Sequence, residues 1–184
     1  MHAMKRTLPI AAFAALALAS VPALAVLPKG AKAPAIVTQG ALAGQAYQFD
    51  LHKALQKGPV VLYFFPAAFT PGCTLEANAF AEAMPEFQKA GAQVVGMSAD
   101  PVDKLKDFSR KECRDKFPVA SASAATIRAF DVALKRDDKD TGLTDRTSYV
   151  IGKDGRIVMV HSDLDWREHV KLTLQTVQTM KATS

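Results

Sequence analysis

An unbroken apolar run, Val60-Val-Leu-Tyr-Phe-Phe65, ends abruptly at Pro66. β-Branched and aromatic residues fill it without alternation, the pattern of a central strand buried on both faces. Such a strand needs cover on two sides, so the chain must supply packing layers above and below it. The stretch that follows, Pro66-Ala-Ala-Phe-Thr-Pro-Gly-Cys73, reads as a turn. From Cys73 to Lys89 the composition is helical, and Pro85 predicts a kink or a break into two helices. Cys73 therefore falls in the first turn of a helix. The backbone dipole is positive there, and the first N–H groups lack intrahelical partners. Both effects favour thiolate over thiol, and the thiolate is the nucleophile.

The remaining segments build around that strand. Val26 to Gly44, rich in Ala, Gly, Lys and Pro, reads as extended lead-in chain. Gln45 to Leu51 alternates like a half-buried strand, and His52 to Gln56 makes a short helical turn ended at Gly58-Pro59. Gly91 suits a helix C-cap, and Ala92 to Ser98 is a second core strand. Asp100 can cap a helix that begins with Pro101. Pro118 to Ser121 is strand-like, Ala124 to Phe130 a short helix, and the charged Leu134 to Leu143 an exposed loop. Arg146 to Ile151 and Arg156 to His161 flank Gly152-Lys-Asp-Gly155, which predicts a hairpin. Trp166, Val170, Leu174, Val177 and Met180 recur at helical spacing, so a terminal helix covers the sheet. The order implies an α/β domain, with a central mixed β-sheet flanked by helices on both faces.

The N-terminus reads differently. Lys5 and Arg6 precede the apolar stretch Leu8 to Leu18, and Ala23-Leu24-Ala25 forms an A-x-A cleavage site. This is the layout of a signal peptide over residues 1–25, leaving a domain of residues 26–184 exported from the cytoplasm and, in a Gram-negative-type host, periplasmic. The stretch is short for a membrane span; an uncleaved anchor is the alternative. Cleavage lowers the net charge from +5 to +3, because Lys5 and Arg6 are lost and no acid is. The remaining charges are interspersed rather than striped, which argues against nucleic-acid binding. The four histidines are scattered, and no C-x-x-C or close Cys/His cluster occurs. Neither a metal nor another cofactor is implied.

Cysteine chemistry on a peroxide needs a thiolate, stabilisation of the leaving oxygen and in-line geometry. Thr70, three residues before Cys73, could donate to the sulfur or hold the peroxide, and the amides of Gly72 and Cys73 are further donors. Pro66 can exclude water. A cation must come from elsewhere in the chain. The pattern Pro66-x-x-x-Thr70-x-x-Cys73 closely resembles the active-site loop of the peroxiredoxins, and Thr70-Pro-Gly-Cys-Thr-x-Glu76 is similar to the PrxQ, or bacterioferritin comigratory protein, subfamily. The resemblance spans nearly the whole of residues 26–184. It implies a thioredoxin-like fold and thiol-based reduction of hydrogen peroxide and organic hydroperoxides. It implies Cys73 as peroxidatic cysteine, with Thr70 and Arg146 polarising the peroxide and Glu76 steadying the arginine. A thioredoxin-like dithiol reductant and a monomeric state also follow from it.

Many PrxQ proteins carry a second, resolving cysteine five residues after the first, but here that position is Asn78. Cys113 is the only other thiol. It falls at the edge of the apolar face of the helix beginning near Pro101, close to an end at Lys116-Phe117-Pro118 that should fray readily. An intramolecular disulfide between Cys73 and Cys113 would then require local unwinding, with Cα atoms beyond the ~7 Å bridging limit in the reduced form. A one-cysteine enzyme with a structural Cys113, and an intermolecular disulfide, stay open. Thioredoxin-type exchange would need a cysteine at position 76, and a C-x-x-x-C metallochaperone one at position 77; these are Glu76 and Ala77. A non-catalytic binding module is the remaining alternative.

Overall fold

The computed structural model describes residues 26–183; the signal peptide expected over residues 1–25 lies outside the described residues. Strands β1 (Val37–Leu42) and β2 (Gln45–Asp50) form a hairpin, followed by α1 (Leu51–Lys57) and the central β3 (Val60–Phe64). Then come α2 (Pro71–Lys89), β4 (Gln93–Ser98), α3 (Val102–Lys111), β5 (Val119–Ser121) and α4 (Ala124–Ala129). A ribbon of β6 (Ala133–Arg136) and β7 (Lys139–Thr144) precedes β8 (Thr147–Ile151), β9 (Ile157–Ser162), a 3-10 turn (Trp166–Glu168) and α5 (His169–Ala182). Seven strands form one mixed sheet in the order β2-β1-β5-β4-β3-β8-β9.

The apolar run sits where its composition requires. β3 pairs in parallel with β4 and antiparallel with β8, and all its residues are fully buried. Its side chains alternate between two cores, because successive residues of a strand point to opposite faces. Val61, Tyr63 and Phe65 join one cluster with Phe80, Phe87, Phe108, Phe117 and both cysteines. Val60, Leu62 and Phe64 join the other with Phe49, Met97, Phe130 and Tyr149.

Several expectations are corrected. The lead-in contains β1, which joins the sheet by pairing with both β2 and β5. Gly40 makes that approach possible, since a Cβ there would lie 2.2 Å from the Val119 carbonyl oxygen. α2 runs unbroken through Pro85. The charged segment 134–143 contains the β6–β7 ribbon, turned by Asp137 and Asp138 at φ 50° and 58°. Two aspartates supply the left-handed turn that Gly usually supplies, so the hairpin signal was muted. α3 ends at Lys111, so Cys113 lies beyond it, in a turn where Arg114 and Asp115 are left-handed (φ 50° and 59°). Asp100 does not cap α3; Pro101 occupies the N-cap position, and the Asp100 carboxylate turns toward the Cys73 loop.

Candidate active site

The loop between β3 and α2 is pinned at both ends. The Phe65 carbonyl accepts from the buried Thr144 hydroxyl at 2.6 Å, and the Phe65 N–H donates to the Met97 carbonyl. The Asp100 carboxylate accepts from the Ala68 N–H (2.7 Å), the Ser98 hydroxyl (2.8 Å) and the Lys104 ammonium (2.7 Å). Pro66 directly follows this tied strand end and is partly exposed. Phe69 adopts a left-handed conformation (φ 68°), which bends the chain into α2.

Cys73 then lies in the first turn of α2, with its side chain almost wholly buried. The Thr74 N–H bonds the Thr70 carbonyl. Pro71 has no N–H, so the Gly72 and Cys73 amides are the orphan donors of this helix end. Thr70 is the N-cap residue, but its hydroxyl makes no capping bond; it donates to the Ala67 carbonyl at 2.9 Å. Its proton being committed, the Thr70 oxygen offers a ligand an acceptor. Gly72 keeps the approach open, since a Cβ there would lie 3.3 Å from Arg146 Nη2 and 3.8 Å from Trp166 Cδ1.

The missing cation is Arg146. The residue immediately precedes β8, next to β3, so its side chain reaches the start of α2 from the neighbouring strand. All three guanidinium nitrogens are engaged. Nη2 donates to Cys73 Sγ at 3.4 Å, Nε to the Leu164 carbonyl at 2.9 Å, and Nη1 to Glu76 Oε2. Burial alone would weaken the charge on Arg146, but Glu76 and Cys73 outweigh it and raise its pKa. Burial pushes the Glu76 carboxyl up to about 8, against the opposing pull of Arg146. Its other oxygen, Oε1, is buried, has no hydrogen-bond partner among the described residues, and lies 3.8 Å from His169 Nδ1.

His169 is a residue that sequence reading passed over as one of four scattered histidines. Its Nε2 faces the Asp163 carbonyl at 2.9 Å and must carry the proton. Nδ1 is then bare and accepts from the Ser148 hydroxyl at 2.8 Å. Burial pushes its pKa down to about 4, so the ring is neutral near pH 7. Asp100 was legible as an acid beside Pro101, but nothing in the sequence showed that it faces the loop. The Leu164 carbonyl carries no sequence signal at all.

Cys73, Thr70, Arg146 and Glu76 are thus brought to one place, with Pro66 at its edge. Cys113 is separate. It is fully buried in the cluster that holds Cys73, and both thiols are free. A buried thiolate beside a fixed guanidinium and orphan amides suits attack on a small, polarisable electrophile whose leaving atom gains negative charge.

Residues 29–160 match the AhpC/TSA family. The chain is 36% identical over 124 residues to "Peroxiredoxin Q, chloroplastic" of Sedum lineare, which covers 67% of this chain and 65% of that protein, just under two thirds of its length. It is 35% identical over 130 residues to "Putative peroxiredoxin Rv1608c" of Mycobacterium tuberculosis, 70% of this chain and 83% of that one. Peroxidoxin BcpB of Mycobacterium tuberculosis superposes with a TM-score of 0.72 at 31% identity, covering 83% of this chain and 97% of that structure. Bacterioferritin comigratory protein of Xanthomonas campestris, solved in a study of its alkyl peroxide reduction activity, gives 0.68 at 30% identity, covering 78% and 91%. The chain belongs to the AhpC/TSA family, as a peroxiredoxin of the PrxQ, or bacterioferritin comigratory protein, type on a thioredoxin-like fold.

Proposed function

We propose that the protein is a thiol-dependent peroxidase reducing hydrogen peroxide and organic hydroperoxides. The observation that carries this is the Cys73 sulfur in the first turn of α2, 3.4 Å from the Arg146 guanidinium that Glu76 and the Leu164 carbonyl hold in place. The Cys73 thiolate attacks the terminal oxygen of ROOH. The S–O bond forms, the O–O bond breaks, and RO⁻ leaves to take a proton from solvent. Arg146 and the Gly72 and Cys73 amides stabilise the charge spread between sulfur and leaving oxygen. The Thr70 oxygen accepts the hydroperoxide O–H and fixes its angle of approach. Sulfur supplies the electron pair, so no cofactor is needed.

The product, Cys73–SOH, condenses with the Cys113 thiol to a disulfide and water. A thioredoxin-like dithiol then reduces the disulfide. Cys113 is the one other thiol in the sequence, and it occupies the same core cluster as Cys73. The peptide 1–25 directs export, to the periplasm in a Gram-negative-type host, and the mature protein acts as a monomer. The test is steady-state peroxide consumption with thioredoxin as reductant. The parent should turn over hydrogen peroxide and an alkyl hydroperoxide, Cys73→Ser should be inactive, and Cys113→Ser should lose thioredoxin-driven turnover. Undiminished turnover by Cys73→Ser would overturn the reading.

A further inference from the structure

The side chain that stands where many relatives have their resolving cysteine is engaged on two sides. Asn78 Nδ2 donates to the Thr74 carbonyl at 2.8 Å and to Glu112 Oε2 at 3.0 Å. An amide nitrogen has two protons, so both are used. Thr74 is the residue after Cys73, in the first turn of α2; Glu112 is the residue before Cys113. One turn further along α2, Glu82 meets Arg114, the residue after Cys113, at 3.2 Å. Two contacts from one helix face therefore bracket Cys113. The Asn78 contact is part-buried and the Glu82 contact exposed, so the first dominates.

The turn they hold is not a relaxed one. Arg114 and Asp115 are consecutive left-handed residues with side chains, a disfavoured conformation. The Cys113 N–H bonds the Phe108 carbonyl, the Lys116 N–H bonds the Cys113 carbonyl, and the sulfur is fully buried. For Cys113 to reach Cys73–SOH this turn must open, and the first turn of α2 must give as well. Asn78 touches both.

On the reading that Cys113 resolves Cys73, we infer that Asn78 is a positioning residue. It clasps the Cys113 turn to the first turn of α2 and so limits the rate at which the buried thiol is released to the sulfenic acid. Unwinding of the first turn carries the Thr74 carbonyl away from Asn78, so the clasp loosens with the movement that exposes oxidised Cys73. The bond-making step is unchanged: the Cys113 sulfur displaces hydroxide from Cys73–SOH, the thiol proton leaves with it as water, and a disulfide remains.

The experiment uses Asn78→Ala, Glu112→Ala and the double variant, with two readouts. The first is amide exchange at Cys113 and Lys116 in the reduced protein, which reports opening of the turn whether or not a disulfide ever forms. The second is the rate of Cys73–Cys113 disulfide formation after one equivalent of hydrogen peroxide. Loss of one part-buried hydrogen bond should speed both by roughly three- to tenfold in Asn78→Ala. The double variant should go no further than the single ones, because they remove the same contact. The second-order rate of Cys73 oxidation should stay at the parent value, since Asn78 does not touch the sulfur or Arg146. Unchanged exchange, or faster exchange with unchanged resolution, overturns the clasp while leaving the two-cysteine cycle standing. A parent protein that forms no Cys73–Cys113 disulfide overturns the cycle, and the clasp's catalytic role falls with it.

Discussion

Replacing Arg146 by methionine separates what the guanidinium does for folding from what it does for chemistry. The side chain is buried and makes three contacts, to Glu76, the Leu164 carbonyl and Cys73 Sγ. Removing it strands Glu76, whose carboxyl is completely buried and whose Oε1 already lacks a partner. Breaking a buried pair in this way costs about 3–5 kcal/mol of stability, a large part of the ~5–15 kcal/mol typical of a domain. The same change removes the one cation within bonding reach of the sulfur, and loss of a preorganised donor of this kind costs about 10²–10³ in rate. The double variant Arg146→Met/Glu76→Leu removes both charges and fills the space with apolar atoms. It should recover most of the stability and none of the rate. Denaturant unfolding and stopped-flow oxidation, followed by the single tryptophan Trp166 near Gly72, read the two quantities independently. A single variant that loses under 1 kcal/mol, or a double variant that regains parental reactivity, refutes the reasoning.

Three further outcomes are expected. His169 has its pKa lowered from 6.5 to about 4. Between those values the unfolded chain binds more protons than the folded one, so this contribution is present above pH 6.5 and lost as pH falls toward 4, by at most about 3 kcal/mol. Glu76, raised to about 8, works the other way and loses stability as pH rises from about 4.5 to 8. The His169 part is therefore read as the difference between parent and His169→Gln, measured by unfolding at pH 7 and 4.5; a pH-independent difference would count against a neutral buried ring. Asp100→Ala leaves the buried Ala68 N–H without its acceptor, which should cost about 1–3 kcal/mol and slow Cys73 oxidation by loosening the loop; unfolding midpoints and stopped-flow rates check both. Gly96→Ala puts a Cβ 2.8 Å from the Tyr63 ring and hydroxyl and should destabilise by about 1–3 kcal/mol, read by thermal unfolding.

The parts of the fold set by local pattern were legible. The β3 run declared two buried faces, and the Pro66–Cys73 spacing declared the turn and the helix start. Arg146 was found through resemblance, and the structure places it against Cys73 across the β3–β8 pairing. What escaped was decided by contacts distant in sequence. β1 carries little alternation, and its place depends on Gly40 lying close to Val119 and Ala120. Asp100 reads as a cap from its neighbour Pro101, yet its partners Ala68 and Ser98 lie on other segments. His169 looks like any helix residue until Ser148, Asp163 and Glu76 are packed around it. The end of α3 was misplaced because Arg114 and Asp115, not a glycine or proline, take the left-handed conformations there.

The most direct test of the peroxidatic role of Cys73 is a single turnover. Reduced Cys113→Ser protein is mixed with one equivalent of hydrogen peroxide, and a sulfenic-acid trap is located by mass spectrometry. Rapid, stoichiometric trapping at Cys73, lost in Cys73→Ser, is the expected result. An unmodified Cys73 with peroxide left unconsumed would contradict the proposed chemistry at its first step.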